Sequence, residues 1–276
     1  MEPFQLQDDV SVPYFSLRSW EREFPHLAAG ISARDGESVK NPNSTNYALH
    51  VGGRRETVIQ NRKRLASRLG MPFSSWTCGE QVHGVAIREV TSADRGKGRE
   101  SMDSAFPETD GLLTREPDLL LTSFYADCVP LLFYSPDPAW IGVAHAGWRG
   151  TVGKIGSRMV REIVRRGAAR DQIHVAIGPS IGGCCYEVDE KVVMPLKDVL
   201  PNPGRAVVQP SGRGKWKLDL KEANRQLLLK EGLKEDQVVM TGWCTSCHPD
   251  LFHSHRRDHG KTGRMVAFIG MRKDDE

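Results

Sequence analysis

His83, Cys128 and His145 are the side chains whose types and settings best suit metal chemistry in this 276-residue sequence. Each ends a strand-like run at a turn: GEQVHG holds His83, YADCVP holds Cys128, and AHAGWRGT holds His145. A side chain at such a junction projects from a rigid sheet, and the turn leaves room for a ligand. Two neutral imidazoles and one thiolate suit Zn²⁺, which is borderline-soft and prefers tetrahedral nitrogen and sulfur donors. Three protein ligands leave a fourth position for water or substrate, as a catalytic zinc requires. The three residues lie far apart, so spacing is weak evidence, and any one of them alone reads better as a hydrogen-bonded residue without a metal. Their neighbours shift that balance. Gly84, Gly147 and Gly150 permit close backbone approach or positive φ. Asp127 and Arg149 add polar groups that a core would have to accommodate. Asp127 either orients an imidazole or satisfies backbone donors where the chain breaks before Pro130; both readings stand.

The elements that must position these residues alternate between strands and helices. Val58 to Leu69 reads as a helix, with Val58, Leu65 and Leu69 near one face and Gly70 and Pro72 ending it. Val85 to Val90 reads as a short strand and the polar stretch Ser92 to Pro107 as a loop. Leu119 to Phe124 and Leu131 to Tyr134 read as strands, and Pro130 between them forces a break or bulge. Trp140 to Ala144 is a buried strand running into the turn at His145 to Gly150. A helix is expected from Thr151 to Arg166, with Val152, Ile155, Met159, Val160 and Ile163 on one face and Gly167 as its stop. Further on, His174 to Ile177 is a strand and Val188 to Val199 a helix. Asp219 caps a helix from Leu220 to Glu231 with Glu222 as capping-box partner. Val238 to Thr241 and Met265 to Ile269 are late strands. The mixture predicts α/β or α+β around a mixed sheet. No composition shift marks a boundary, so residues 1–276 are read as one domain.

Composition excludes several classes of function. Hydrophobic residues make up 39% and charged residues 26%, which argues against disorder. A net charge of +3 is too balanced for a nucleic-acid-coating protein. The N-terminal MEPFQLQDDV lacks the basic and apolar regions of a signal peptide. Asp127 and Pro130 interrupt the most apolar stretch, Leu119 to Tyr134, so it is not a membrane span. We expect a soluble, cytoplasmic protein. Neither a long heptad nor a large apolar run is present, which makes a monomer the expectation. Six cysteines in such a chain argue for core residues, ligands or nucleophiles rather than a disulfide framework.

Five motifs in order carry a resemblance: EQVHG (80–84), ADCVPLLF (126–133), VAHAGWRGT (143–151), GPSIGGCCYEV (178–188) and SHRRDHGKTGRM (254–265). Together they resemble the YfiH-like family, whose members carry the names multicopper polyphenol oxidase, peptidoglycan editing factor and purine nucleoside phosphorylase. The likeness runs from Asn43-Ser-Thr-Asn46 to the C-terminal strand. It implies an α+β fold, a mixed β-sandwich flanked by helices. It also implies that His83, Cys128 and His145 bind a catalytic zinc, about one per chain for a three-ligand site. The sequence departs from the family at Gly183, where proline is frequent, and at His255, where an aromatic often precedes RRD. The second departure brings an imidazole that alters substrate contacts or offers an extra ligand.

The activity implied is phosphorolysis of adenosine, inosine or S-methyl-5'-thioadenosine, with adenosine deamination beside it. Purine nucleoside and phosphate are then the partners, and Asn46, Arg62, Gln81, Arg149 and Arg256 are candidate substrate contacts. The arginine forks suit a bidentate phosphate contact. The zinc-deaminase signature, His-x-Glu with Pro-Cys-x-x-Cys, is absent. Copper is the alternative ion, in a laccase-like polyphenol oxidase. However, nine histidines with one His-x-His pair, His253 and His255, are too few for a four-copper site. A cysteine hydrolase acting in peptidoglycan editing is the remaining class, with Cys128 as nucleophile and His83 or His145 as base. In the tail, Cys244-x2-Cys247-His248 followed by His253, His255 and His259 has the composition of a ligand cluster. Its spacing is too short for a ββα finger. We expect Cys244 in the core and the histidines in a polar loop at the substrate's edge.

Overall fold

The computed structural model describes residues 2–7, 12–35 and 44–273; Asn43 of the family-like segment lies outside them. Among the described residues, strands that are mostly apolar and buried on both faces build two six-stranded sheets. Numbered along the chain, the first runs in the order β1 (Phe4–Gln7), β2 (Tyr14–Leu17), β3 (Leu27–Ser32), β15 (Met265–Met271), β7 (Leu120–Tyr125) and β4 (Trp76–Cys78). The second runs β14 (Val238–Met240), β10 (His174–Ile177), β8 (Val129–Pro136), β9 (Ala139–Ala146), β6 (Gly111–Thr114) and β5 (Ile87–Glu89). Both are mixed: β4 pairs parallel with β7 and β5 parallel with β6, while β8 and β9 pair antiparallel. A small sheet of β11 (Glu187–Val188), β13 (Lys215–Leu218) and β12 (Val208–Gly212) stands apart.

The period of two explains the layering. Leu121 and Tyr125 of β7 face Leu132 and Tyr134 of β8, closing the core between the sheets. Leu120 and Phe124, on the other face of β7, pack with Leu65, Ala66 and Leu69 in and just after a helix at Arg55–Arg68. Leu131 and Phe133 of β8 pack with Ile155, Met159, Val193 and Leu227 from helices on the outer side. The result is the expected α+β sandwich with a helical layer on each outer face. No helix among the described residues is long and apolar enough to cross a membrane.

The described residues form seven helices: α1 (Arg18–Glu23), α2 (Arg55–Arg68), α3 (Trp148–Val152), α4 (Ile155–Arg165), α5 (Glu190–Val199), α6 (Gly204–Val207) and α7 (Leu220–Lys230). Three local expectations change. The helix expected from Thr151 to Arg166 is two helices, because Lys154 adopts the left-handed conformation at φ 59° between them. Close packing accompanies the break: a Cβ on Gly153 would stand 2.4 Å from Cγ1 of Val85. Val188 belongs to β11, and α5 starts two residues later, where the Asp189 carboxylate accepts from the Lys191 N–H. At α7 the Asp219 carboxylate accepts from the Glu222 N–H as expected, but Glu222 turns its own carboxylate to Arg225 instead of back to the cap.

Candidate active site

His83, Cys128 and His145 come from three separate parts of the chain and meet at one end of the sandwich. His145 is on β9 and is 3% exposed. Cys128 follows Ala126 and Asp127 on the short link by which the chain passes from β7 in one sheet to β8 in the other. His83 sits in the irregular segment between β4 and β5, in the left-handed region at φ 61°, a conformation costly for a residue with a Cβ. Cys128 Sγ lies 3.9 Å from His83 Nε2, and the His83 and His145 rings are 4.8 Å apart, edge to face.

Asp110, which sequence reasoning missed, holds two of the three. Its buried carboxylate accepts hydrogen bonds from the backbone N–H groups of Val82 (3.1 Å), His83 (3.1 Å) and Gly84 (2.8 Å). It also lies 2.7 Å from Nδ1 of His145. Burial pushes the Asp110 carboxyl up, but the His145 bond and charge and the N–H groups of Gly84 and Val82 hold it below the usual range. With Nδ1 committed, Nε2 of His145 is the atom left for a metal. Asp127 has the other role considered for it. At φ 89° it accepts from Thr245 Oγ1 (2.6 Å) and the Arg256 N–H (2.7 Å), and its carbonyl accepts from the Ile181 N–H (3.0 Å). It shapes the link that presents Cys128, with its carboxylate oxygens bonded to Thr245 and Arg256.

Gly147 shows how tightly the trio is packed. A Cβ there would come within 3.0 Å of His83 Cδ2 and 3.1 Å of Cys128 Sγ. The donor atoms of the three residues all lie within 4.8 Å of one another. A tetrahedral zinc with bonds of roughly 2.0–2.3 Å spaces its ligand atoms about 3.4–3.8 Å apart. Two imidazoles and a thiolate at these separations therefore fit such an ion. Burial alone would raise the Cys128 thiol, but the charge and hydrogen bonding of His145, then of His83, bring it down to about 6. Burial lowers His145, but the Cys128 charge and the Asp110 bond raise it to about 9. Cys128 and His145 thus favour a thiolate beside an imidazolium, a pair whose protons a metal ion would displace.

The other sequence candidates separate into two groups. Arg149 and Arg256 are exposed near the trio. Arg256 stacks on the Tyr186 ring (5.1 Å) and donates to the Glu187 carbonyl (2.8 Å), while Arg149 lies over the Trp148 ring (4.4 Å). Arg264, not singled out from sequence although it lies in the last motif, is within electrostatic reach of Cys128 and Asp127. Asn46, Arg62 and Gln81 are committed elsewhere. Arg62 is fully buried against the Phe124 and Trp76 rings, and it donates to the carbonyls of Tyr47, Gly98 and Arg99, each at 2.8 Å. The buried Asn46 amide bonds the backbone of Ala48, Gly52 and Arg264. Gln81 pairs both ends of its amide with the backbone of Phe124, which fixes the segment leading to His83.

The tail histidines do not form a ligand group. His253 is buried beside Thr45 and Thr262, whereas His255 and His259 are exposed. The single His-x-His pair is therefore divided. Cys244 is buried as expected, but its neighbours are three other cysteines.

The family described as multi-copper polyphenol oxidoreductase laccase matches residues 28–272, and the chain belongs to it. It is 46% identical over 260 residues to "Purine nucleoside phosphorylase YlmD" of Geobacillus stearothermophilus, covering 94% of this chain and 95% of that one. It is 41% identical over 273 residues to the protein of the same name from Bacillus subtilis, covering 98% of both. The crystal structure of YlmD from Geobacillus stearothermophilus matches with a TM-score of 0.92 at 43% identity, over 99% of this chain and 100% of that one. Bacillus licheniformis hypothetical protein YfiH matches with a TM-score of 0.90 at 39% identity, over 97% and 99%.

Proposed function

We propose that the chain is a zinc-dependent purine nucleoside phosphorylase, with residues 1–276 acting as one cytoplasmic, monomeric catalytic domain on adenosine, inosine and S-methyl-5'-thioadenosine. The observation that carries this reading is the convergence of His83, Cys128 and His145, two of them fixed by Asp110. It occurs in a chain whose relatives bear that name over nearly their full length. In the reaction, a phosphate oxygen bonds to C1′ of the ribose as the C1′–N bond breaks. The electron pair leaves with the purine, which takes up a proton. When bound, zinc supplies Lewis-acid polarisation of a phosphate or sugar oxygen.

The remaining requirements fall to the chain's own residues. Positive charge converging on the mouth of the site binds and orients phosphate. Arg149 and Arg256 provide it, both within electrostatic reach of Tyr186, with Arg264 within electrostatic reach of Cys128. Asn46 and Gln81 enter as positioning residues, since they hold the backbone of Arg264 and Phe124, and Arg62 enters as a buried residue that holds the backbone of Tyr47, next to Asn46. Deamination of adenosine is less favoured. Asp110 and Asp127, the carboxylates beside the trio, both have their oxygens engaged by donors.

The low thiol of Cys128 beside a protonated His145 supports one competing reading, a metal-free cysteine hydrolase. One chromatographic experiment separates the two. Adenosine and inosine should be consumed only when phosphate is present, and a folded Cys128→Ala variant should consume neither. Equal turnover without phosphate would rule out phosphorolysis, and inosine formed from adenosine without phosphate would report deamination. Full activity in chelator-stripped protein would rule out zinc and favour the Cys128–His145 pair.

A further inference from the structure

A second group of sulfurs converges away from the trio. Cys184 and Cys185 lie on the turn after β10, and Cys244 and Cys247 lie on the loop after β14. Their four Sγ atoms all lie within 4.8 Å of one another. Cys247 Sγ is 3.6 Å from Cys184 Sγ and 3.4 Å from Cys185 Sγ. These separations are far beyond a disulfide bond of about 2.05 Å, and all four are free thiols. They match the spacing of about 3.8 Å between sulfurs around a tetrahedral zinc with Zn–S bonds near 2.3 Å.

Ordinary packing does not explain the convergence. Cys184 and Cys247 are exposed, so the group is not a piece of hydrophobic core. Neutral thiols are weak donors and weak acceptors and gain little from meeting. The surroundings suit sulfur that carries negative charge. The Gly182 N–H donates to Cys244 Sγ at 3.2 Å, and a Cβ on Gly182 would stand only 3.3 Å from Cys184 Sγ. Lys221 is 4% exposed, and its ammonium bonds the Trp243 carbonyl at 2.7 Å beside the cluster. Arg205, Lys217 and Lys221 line a cavity of about 410 Å³ that Cys184 and Cys244 also border. One divalent ion with four thiolates leaves a net charge of about −2, which these cations offset.

We infer that Cys184, Cys185, Cys244 and Cys247 form a tetrathiolate zinc site, structural in kind because protein sulfur fills all four positions. Binding exchanges four thiol protons for one Zn²⁺, with no change of oxidation state. The ion clamps the turn that leads into Tyr186 to the loop that holds Thr245. Those segments form a wall of the first site: Thr245 bonds Asp127 beside Cys128, and Arg256 stacks on Tyr186. The clamp is independent of which reaction the trio performs.

Metal analysis of the whole chain, purified under reducing conditions, tests the proposal. Wild-type protein should hold about two zinc ions per chain, and Cys184→Ser/Cys247→Ser protein about one. His83→Ala protein should keep the second ion, so failure of the trio as a metal site stays distinguishable from failure of this one. If the double variant does not fold, cobalt titration of the His83→Ala protein replaces it. Intense sulfur-to-cobalt absorption saturating at about one equivalent is expected for four thiolates. The proposal is overturned if the double variant holds as much zinc as wild type. It is equally overturned if the reduced, folded His83→Ala protein takes up neither zinc nor cobalt.

Discussion

A carboxylate that accepts hydrogen bonds from three successive backbone N–H groups and an imidazole leaves its partners little freedom. Asp110 does this for Val82, His83, Gly84 and His145. In Asp110→Asn, one amide oxygen replaces two acceptors and the NH2 faces existing donors. We expect metal affinity at the trio to fall by roughly 10–100-fold with the fold retained. Competition with a chelator measures it, and unchanged affinity would show that packing alone orients His145. The thiol offers a second measurement. In metal-stripped protein Cys128 should be alkylated with a midpoint near pH 6, because His145 and His83 keep it ionised above that pH. A midpoint of about 8.5, that of an ordinary cysteine, would show that the pair does not form. The trio was legible because metal-capable side chains stood at strand–turn junctions beside glycines, in motifs that follow the order of the family the sequence resembles. Asp110 was not, because it resembles any acidic residue before a strand. Its role depends on β6 pairing with β9, which sets Gly111 opposite Ala144 and so brings Asp110 beside His145.

The elements repeat that contrast between local and distant causes. Ile155, Met159, Val160 and Ile163 have helical spacing and face the core as read from sequence. The interruption before them does not disturb that spacing and left no trace in it. Lys154 occupies a conformation that favours glycine. Lys154→Gly should therefore stabilise the protein by up to about 1 kcal/mol, the left-handed penalty less the entropy glycine adds to the unfolded chain. Urea unfolding measures it, and a loss of stability would mean that the Lys154 side chain makes contacts worth more than its backbone strain. The small sheet was missed because β11 is only two residues long, Glu187 and Val188, too short for alternation to register.

At the scale of the molecule, an α/β or α+β class was legible because apolar strands and amphipathic helices were visible, while the sandwich came only from the family resemblance. Strand order was not, since register between remote segments depends on packing rather than on local pattern. The tail histidine His253 also changed meaning. Burial first, then the charge of Arg34, lowers its pKa to about 3, so it is neutral in the folded protein at neutral pH. An unfolded histidine titrates near 6.5. Because the folded value is the lower one, the full stability is present above about pH 6.5. It is lost as pH falls toward 3, by at most about 1.4 kcal/mol per pH unit from this group. Thermal melts of wild type and His253→Gln should diverge in this sense, with the variant's stability falling less steeply. Parallel profiles would place the acid sensitivity elsewhere.

The position of β15 bears on how the polypeptide is made. Residues 265–271 form an inner strand, paired on one side with β3 and on the other with β7. Until the ribosome has delivered them, β1–β3 and the β7–β4 pair have nothing to join them, and the apolar faces of both stay open to solvent and chaperones. A nonsense mutation before residue 265 would therefore split a sheet through its middle instead of trimming its rim. All three residues of the trio are translated long before that strand, so the newborn chain carries these metal-capable side chains without the finished scaffold that aligns them.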